Sequence, residues 1–225
     1  MNLEFDLADW LPHLLDGLLV TLEITALCIG LGIVLGLVLA FARLYAQRPF
    51  AWAATAFINF FRGTPILAQL FLVYYGLPSI GIRLEPFTAG VLALGLNTSA
   101  YQAEYFRGAI QSLPAGQMLA ARSIGMSRLQ ALQSIILPQA LRLVIPPWSN
   151  ELILMLKYSS IVFLATVMDL MGEGLVLASE TYRYFEIFIV VAIMYLIVVL
   201  AVTWLLHRLQ VWLRVPGLGA GDSIA

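Results

Sequence analysis

"GQMLAARSIGMSRLQALQSIILPQA", residues 116–140, is an arginine-bearing, glycine-centred interruption in a chain that is otherwise strongly apolar. From Ala115 to Ser123 most residues are good helix formers. Gly125 breaks the run, and Leu129, Leu132 and Ile136 then recur at helical spacing on one face. The pattern predicts a helix, a turn and a second helix. Arg122, Ser127, Arg128, Gln130 and Gln133 give the pair a polar face. An amphipathic element of this kind fits either a lipid surface or a protein groove, and the local pattern favours neither.

The flanking sequence has the composition of a membrane protein. Of 225 residues, 61% are hydrophobic and 11% charged, whereas a soluble domain holds about 45–50% apolar and about 25% charged residues. A bilayer core takes about 20 mainly apolar residues per helix. Five stretches qualify, at residues 18–42, 52–75, 87–106, 137–167 and 185–206. The chain therefore reads as an all-α integral membrane protein of about five transmembrane helices. The fourth stretch is too long for one straight crossing, and Pro138, Pro146 and Pro147 predict that its start is broken or lies at the interface.

Charge placement orients the helices, because Lys and Arg collect in cytoplasmic loops. Arg43, Arg48, Arg107, Arg122, Arg128, Arg142, Arg208 and Arg214 fall on one side of the spans, against Arg83 and Arg183 on the other. This predicts a multi-pass protein with its N-terminus outside and its C-terminus in the cytoplasm. The opening stretch becomes the largest cytoplasmic loop. The acids Glu4, Asp6, Asp9, Asp16, Asp169, Glu173 and Glu180 gather on the opposite side. The segment "MNLEFDLADWLPHLLDG" has no basic residue, so it does not read as a cleavable secretory signal, and the first span is expected to stay in the mature protein. The net charge of −1 predicts no nucleic-acid partner.

Several signals have modest structural readings. Cys28 lies in an apolar run and reads as core filler. His13 and His207 lack neighbouring ligands, so no metal site is expected. Gly32, Gly36 and Ala40 form a small-residue face that suits helix packing within the chain or, alternatively, a dimer contact. No acid, base and nucleophile set suggests catalysis, so catalytic residues are expected to be absent.

Ionisable residues inside spans are costly and mark candidate pathways. Here they are Glu23, Arg62, Glu104, Glu151 and Lys157. Glu151, Met155 and Tyr158 share one helix face, followed by Ser159 and Ser160. The competing reading is that Glu151 and Lys157 neutralise each other. Gly63 and Pro65 interrupt a helix beside Arg62, and broken backbone at membrane depth survives where it is buried or lines a cavity. Thr64 and Gln69 are then candidate cavity liners. Asn97, Thr98 and Glu104 put polar groups on the third span, where they line a pathway or join helices.

The segment "AARSIGMSRLQALQSIILP" resembles the EAA loop of ABC-importer permeases, which has the pattern Glu-Ala-Ala, three residues, Gly, nine residues, Ile-x-Leu-Pro. Ala120, Ala121, Gly125, Ile135, Leu137 and Pro138 take the matching positions, and Leu119 stands where the family has Glu. "FFRGTPILAQLFLVYYGLP", "LNTSAYQAEYFRGAIQSLPAGQ" and "LPQALRLVIPPWSNELILMLKYSSI" resemble segments of the polar amino-acid uptake permeases of the histidine, glutamine, arginine and cystine type.

The resemblance implies a single type I importer permease unit over residues 1–225, with a coupling loop at about 115–138. It implies two protomers, as a second copy or a homologous chain, with two ATPase subunits and an extracytoplasmic solute-binding protein in a bacterial inner membrane. Leu119, Ala120, Ala121, Arg122, Gly125, Met126 and Ser127 would then meet the ATPase. ATP and Mg2+ would be used by that partner, in keeping with the lack of a Walker A loop here. In permeases for basic amino acids the positions matching Glu151 and Tyr158 both tend to be acidic and lie in the substrate cavity. Tyr158 lowers the expectation of a cationic substrate and leaves Glu151 free for an α-ammonium group. The rival readings are a permease for another small polar solute, and a secondary transporter, which would usually show inverted repeats with paired broken helices.

Overall fold

The computed structural model describes residues 7–213, and all regular structure among them is helical. Glu4, Asp6 and Arg214, which enter the charge asymmetry, lie outside the described residues. Helix α1 (Leu7–Tyr45) has 39 residues. At about 58 Å it is nearly twice as long as a bilayer's hydrocarbon core is thick. Its most extensive partner is α4 (Pro86–Gln111). The small-residue face of α1 makes that contact. A Cβ on Gly32 would run into the Gln102 amide, and one on Gly36 would lie 3.1 Å from the Ala103 nitrogen and 3.2 Å from the Ser99 carbonyl. Ala40 is fully buried and clusters with Phe106 and Ala109. The face therefore joins two helices of one protomer.

Helix α2 (Arg48–Gly63) carries Pro49 in its first turn, where a missing N–H costs nothing, and stops at Gly63 ahead of Pro65. Helix α3 (Ile66–Phe71) continues through a π turn (Leu72–Gly76) and a 3-10 turn (Leu77–Ile80), closed by Gly81 at φ 88°. The axis turns by 107° between these two halves, so the span expected at 52–75 is not a straight crossing.

After α4 come α5 (Ala115–Ser123), α6 (Arg128–Ala131) and a π turn (Leu132–Ile136) that runs into α7 (Leu137–Tyr158). The break expected at the start of this segment lies instead at its end. Pro138 occupies the first turn of α7, and the helix runs on through Pro146 and Pro147. Those two rings remove only the donors that would bond the Arg142 and Leu143 carbonyls. The interruption comes in a 3-10 stretch (Ser159–Ala165), stopped by Thr166 at φ 63°, before α8 (Leu170–Thr181) leaves at 51°.

Helix α9 (Tyr184–Leu213) closes the described chain, burying only Ile187, Val191 and Leu206. Helices α1 and α9 are long and apolar enough to cross a membrane unbroken, and up to four spans result if each bent pair is one. Helix α4, with 26 residues and a length of about 39 Å, is also long enough. What sets it apart is its interior, where Asn97, Thr98, Ser99 and Gln102 are all buried. The central core joins α1, α3, α4 and α7 through Ile24, Cys28, Leu70, Leu94 and Met155, and Cys28 is fully buried within it.

Candidate functional site

Three clusters of polar side chains in the described chain are built on α4. The first begins at the α2–α3 break. Pro65 has no N–H, so the Phe61 carbonyl four residues earlier loses its helical donor. Two side-chain amides replace it. Gln69 Nε2 donates to Phe61 O at 2.9 Å and Asn97 Nδ2 does so at 3.0 Å. Gln69 Nε2 also reaches Thr64 O at 3.1 Å and Thr64 Oγ1 at 2.7 Å, and its Oε1 accepts from Asn97 Nδ2 at 2.9 Å. Thr64 Oγ1 donates back to Phe60 O at 2.8 Å. Gln69 and Asn97 are buried and Thr64 is half-buried, so these candidate liners form a clamp on the bend.

The second cluster surrounds Glu151, which is 5% exposed. Its Oε1 accepts from Thr98 Oγ1 at 2.7 Å and its Oε2 from Tyr105 OH at 3.1 Å. Gln102 extends the node, since its Nε2 donates to Thr98 Oγ1 at 3.2 Å and to Ile29 O at 3.4 Å, while its Oε1 accepts from Trp148 Nε1 at 3.1 Å. The carboxylate thus joins α7 to α4, and Gln102 carries the node on to α1. The third cluster is ionic. Glu104 pairs with Arg43, with Arg107 at 2.7 Å and with Arg62 at 3.9 Å. Arg62 also lies over the Tyr101 ring, 5.2 Å from its centroid. Helix α4 therefore holds the C-terminal end of α2 at two points, Asn97 on Phe61 and Glu104 on Arg62.

The predicted face Glu151, Met155, Tyr158 divides in space. Glu151 and Met155 point into the protomer core, while Tyr158 is exposed. Ser159 is buried and donates to Leu156 O at 2.8 Å. Lys157 is exposed on another side of α7, and no ion pair joins it to Glu151. Among the described residues no group of three or more His, Cys, Asp or Glu could hold a metal ion.

The opening stretch folds as its pattern predicts. Helix α5 ends in a paired carbonyl cap, with the Gly125 N–H on Arg122 O at 3.1 Å and the Met126 N–H on Ala121 O at 3.2 Å, which places Gly125 at φ 89°. Ser127 then caps α6. Its Oγ accepts from Gln130 N at 3.2 Å, and Gln130 Oε1 accepts from Ser127 N at 2.8 Å. Gln117 and Gln139 exchange two amide hydrogen bonds, and Arg128 lies over the Tyr45 ring at the end of α1. Ala121 is buried, whereas Ala120 and Arg122 are exposed and Met126 is half-buried. Leu119, Ile124 and Leu129 are 67%, 78% and 61% exposed, so a doubly capped turn presents large apolar side chains that no described residue covers.

Sequence reasoning passed over Gln102, Tyr105 and Trp148. A signal for two of them was available, since Thr98, Gln102 and Tyr105 repeat at intervals of four and three and so form one helix face.

Comparison with known proteins adds four findings. A family model for the binding-protein-dependent transport system inner membrane component matches residues 32–215. The chain is 40% identical to a probable glutamine ABC transporter permease of Bacillus subtilis over 214 residues, 93% of this chain and 99% of that one. It is 36% identical to an arginine transport system permease of the same organism over 207 residues, covering 91% and 94%. Among solved structures, a chain from an amino acid ABC transporter crystallised with histidines superposes with a TM-score of 0.87 at 39% identity, covering 93% of this chain and 99% of that one.

Proposed function

This chain belongs to the family of binding-protein-dependent transport system inner membrane components, and from that membership we infer that it is the permease of an ABC importer for amino acids. It is a membrane permease component and not a catalytic subunit. Two ATPase subunits supply the energy and bind the ATP and Mg2+, and an extracytoplasmic solute-binding protein delivers the substrate. A second copy of this chain, or a homologous permease, completes the pathway. The N-terminus lies outside and the C-terminus in the cytoplasm, as the arginine asymmetry requires.

The observation that carries this reading is the capped turn between α5 and α6. A loop fixed by Gly125 and Ser127, pinned to α1 through Arg128, and exposing Leu119, Ile124 and Leu129 is a rigid handle for a partner's cleft. In this reading residues 115–138 couple ATPase closure to the spans. Alternating access then needs contacts that differ between two states. The three α4 clusters are the candidates for such contacts, because each joins separate helices. The substrate is a polar amino acid without a cationic side chain. Both Glu151 oxygens already have internal donors, and Tyr158 adds no second acid.

The test is reconstitution of the full chain in proteoliposomes with its ATPase and binding protein. Uptake of labelled glutamine is expected to require ATP, and loaded binding protein is expected to stimulate hydrolysis. Uptake without ATP, or a chain that never associates with an ATPase, ends the importer reading. Uptake of arginine in place of glutamine ends only the substrate assignment.

A further inference from the structure

A cavity of about 340 Å3 opens between the end of α7, α8 and α9, with Lys157, Ser160, Met171, Phe188, Ala192 and Tyr195 in its walls. Lys157 lies six residues after Glu151, about 120° off the Glu151 face, so this cleft is separate from the polar node. The Lys157 ammonium has no hydrogen-bond or ion-pair partner among the described residues. Its polar neighbours are engaged elsewhere. Ser160 Oγ donates to the Lys157 carbonyl at 2.7 Å, and Tyr195 OH donates to Asp169 Oδ2 at 3.3 Å.

An ammonium at membrane depth is costly without a counter-charge. None of the described residues supplies its counter-ion, and the other walls indicate what kind of molecule would. Met171, Phe188, Val191 and Ala192 are apolar, and the same helix goes on to expose Ile189, Ile193, Leu196 and Ile197. An anion attached to an apolar tail fits this surface. A zwitterion does not, because no carboxylate in the wall would receive its cationic group. We propose that the α7–α8–α9 cleft binds a phospholipid of net negative charge, with its phosphate on Lys157 and an acyl chain along α9.

The experiment is native mass spectrometry of the full-length chain titrated with phosphatidylglycerol and phosphatidylcholine of identical acyl chains. The wild type is expected to retain phosphatidylglycerol about fivefold better than phosphatidylcholine, the preference expected for one lysine near a charged lipid. Lys157→Met abolishes that preference and Lys157→Arg keeps it. Ala192→Trp fills the cleft without touching the charge and lowers retention of phosphatidylglycerol, which covers the case of a Lys157→Met chain that fails to fold. Equal retention by wild type and Lys157→Met overturns the proposal. So does competition by soluble glycerol phosphate, which would make a headgroup alone the ligand. A change in dimer content with lipid retention unaltered also overturns it, because the occupant is then a second copy.

Discussion

Glu151 illustrates how a single residue can be flagged by its cost and explained only by its partners. A buried carboxylate that accepts two hydroxyl bonds is a structural joint whatever else it does. Glu151→Ala leaves Thr98 and Tyr105 without their acceptor, and a loss of about 1–3 kcal/mol is expected, read as a lower unfolding temperature in detergent. Glu151→Gln keeps an acceptor and is expected to unfold close to wild type, so any loss of uptake in that variant reports on transport. Unchanged uptake by Glu151→Gln sinks a pathway role for the carboxylate. Ser149 gives the opposite case, since its hydroxyl is buried without a partner among the described residues. Ser149→Ala is expected to be neutral or stabilising by about 1 kcal/mol in the same melt. The apolar surroundings marked Glu151 as exceptional from composition alone. Its donors were harder to find, because Thr98, Gln102 and Tyr105 become a face turned toward α7 only once α4 is packed.

Among the elements, the turn at Gly125 was the most fully readable from the chain. A glycine just beyond a nine-residue run of mostly helix-forming residues, with Ser127 and Gln130 three apart, suits both caps. Gly125→Ala forces a side chain into the left-handed region at a cost of about 1–2 kcal/mol, and Ser127→Ala removes a cap worth about 1 kcal/mol. Both are expected to lower uptake per ATP hydrolysed while the melting of the helix core stays in place. Leu119→Glu, which restores the family's acid on an exposed position, tests the handle directly through its affinity for the ATPase. The bent elements were less readable. Gly63 and Pro65 announce an interruption, but the 107° angle depends on where Gln69 and Asn97 hold the Phe61 carbonyl. Pro146 and Pro147, read as a start either broken or at the interface, do not break the helix, because α7 continues past the two freed carbonyls and yields later, at Thr166.

For the molecule as a whole, composition and charge defined a multi-pass helical protein, and the packing then specified which faces are internal. The small residues of α1 are the clearest gain. They were compatible with a dimer contact until Gly32 and Gly36 were seen to leave room for α4 alone. Orientation is checked by labelling. Cys28 is fully buried, so single cysteines can be added to the natural chain with little background. Ser127→Cys is expected to react only with a thiol reagent that reaches the cytoplasmic face, and Ser79→Cys only from outside; the reverse pattern inverts the topology. The α2–α3 bend also bears on biogenesis. Gln69 lies eight residues after the Phe61 carbonyl it covers, so that freed carbonyl gains a donor before any later segment is synthesised. Asn97 adds a second donor to the same carbonyl once α4 is made, so the order of synthesis and the order of assembly need not conflict.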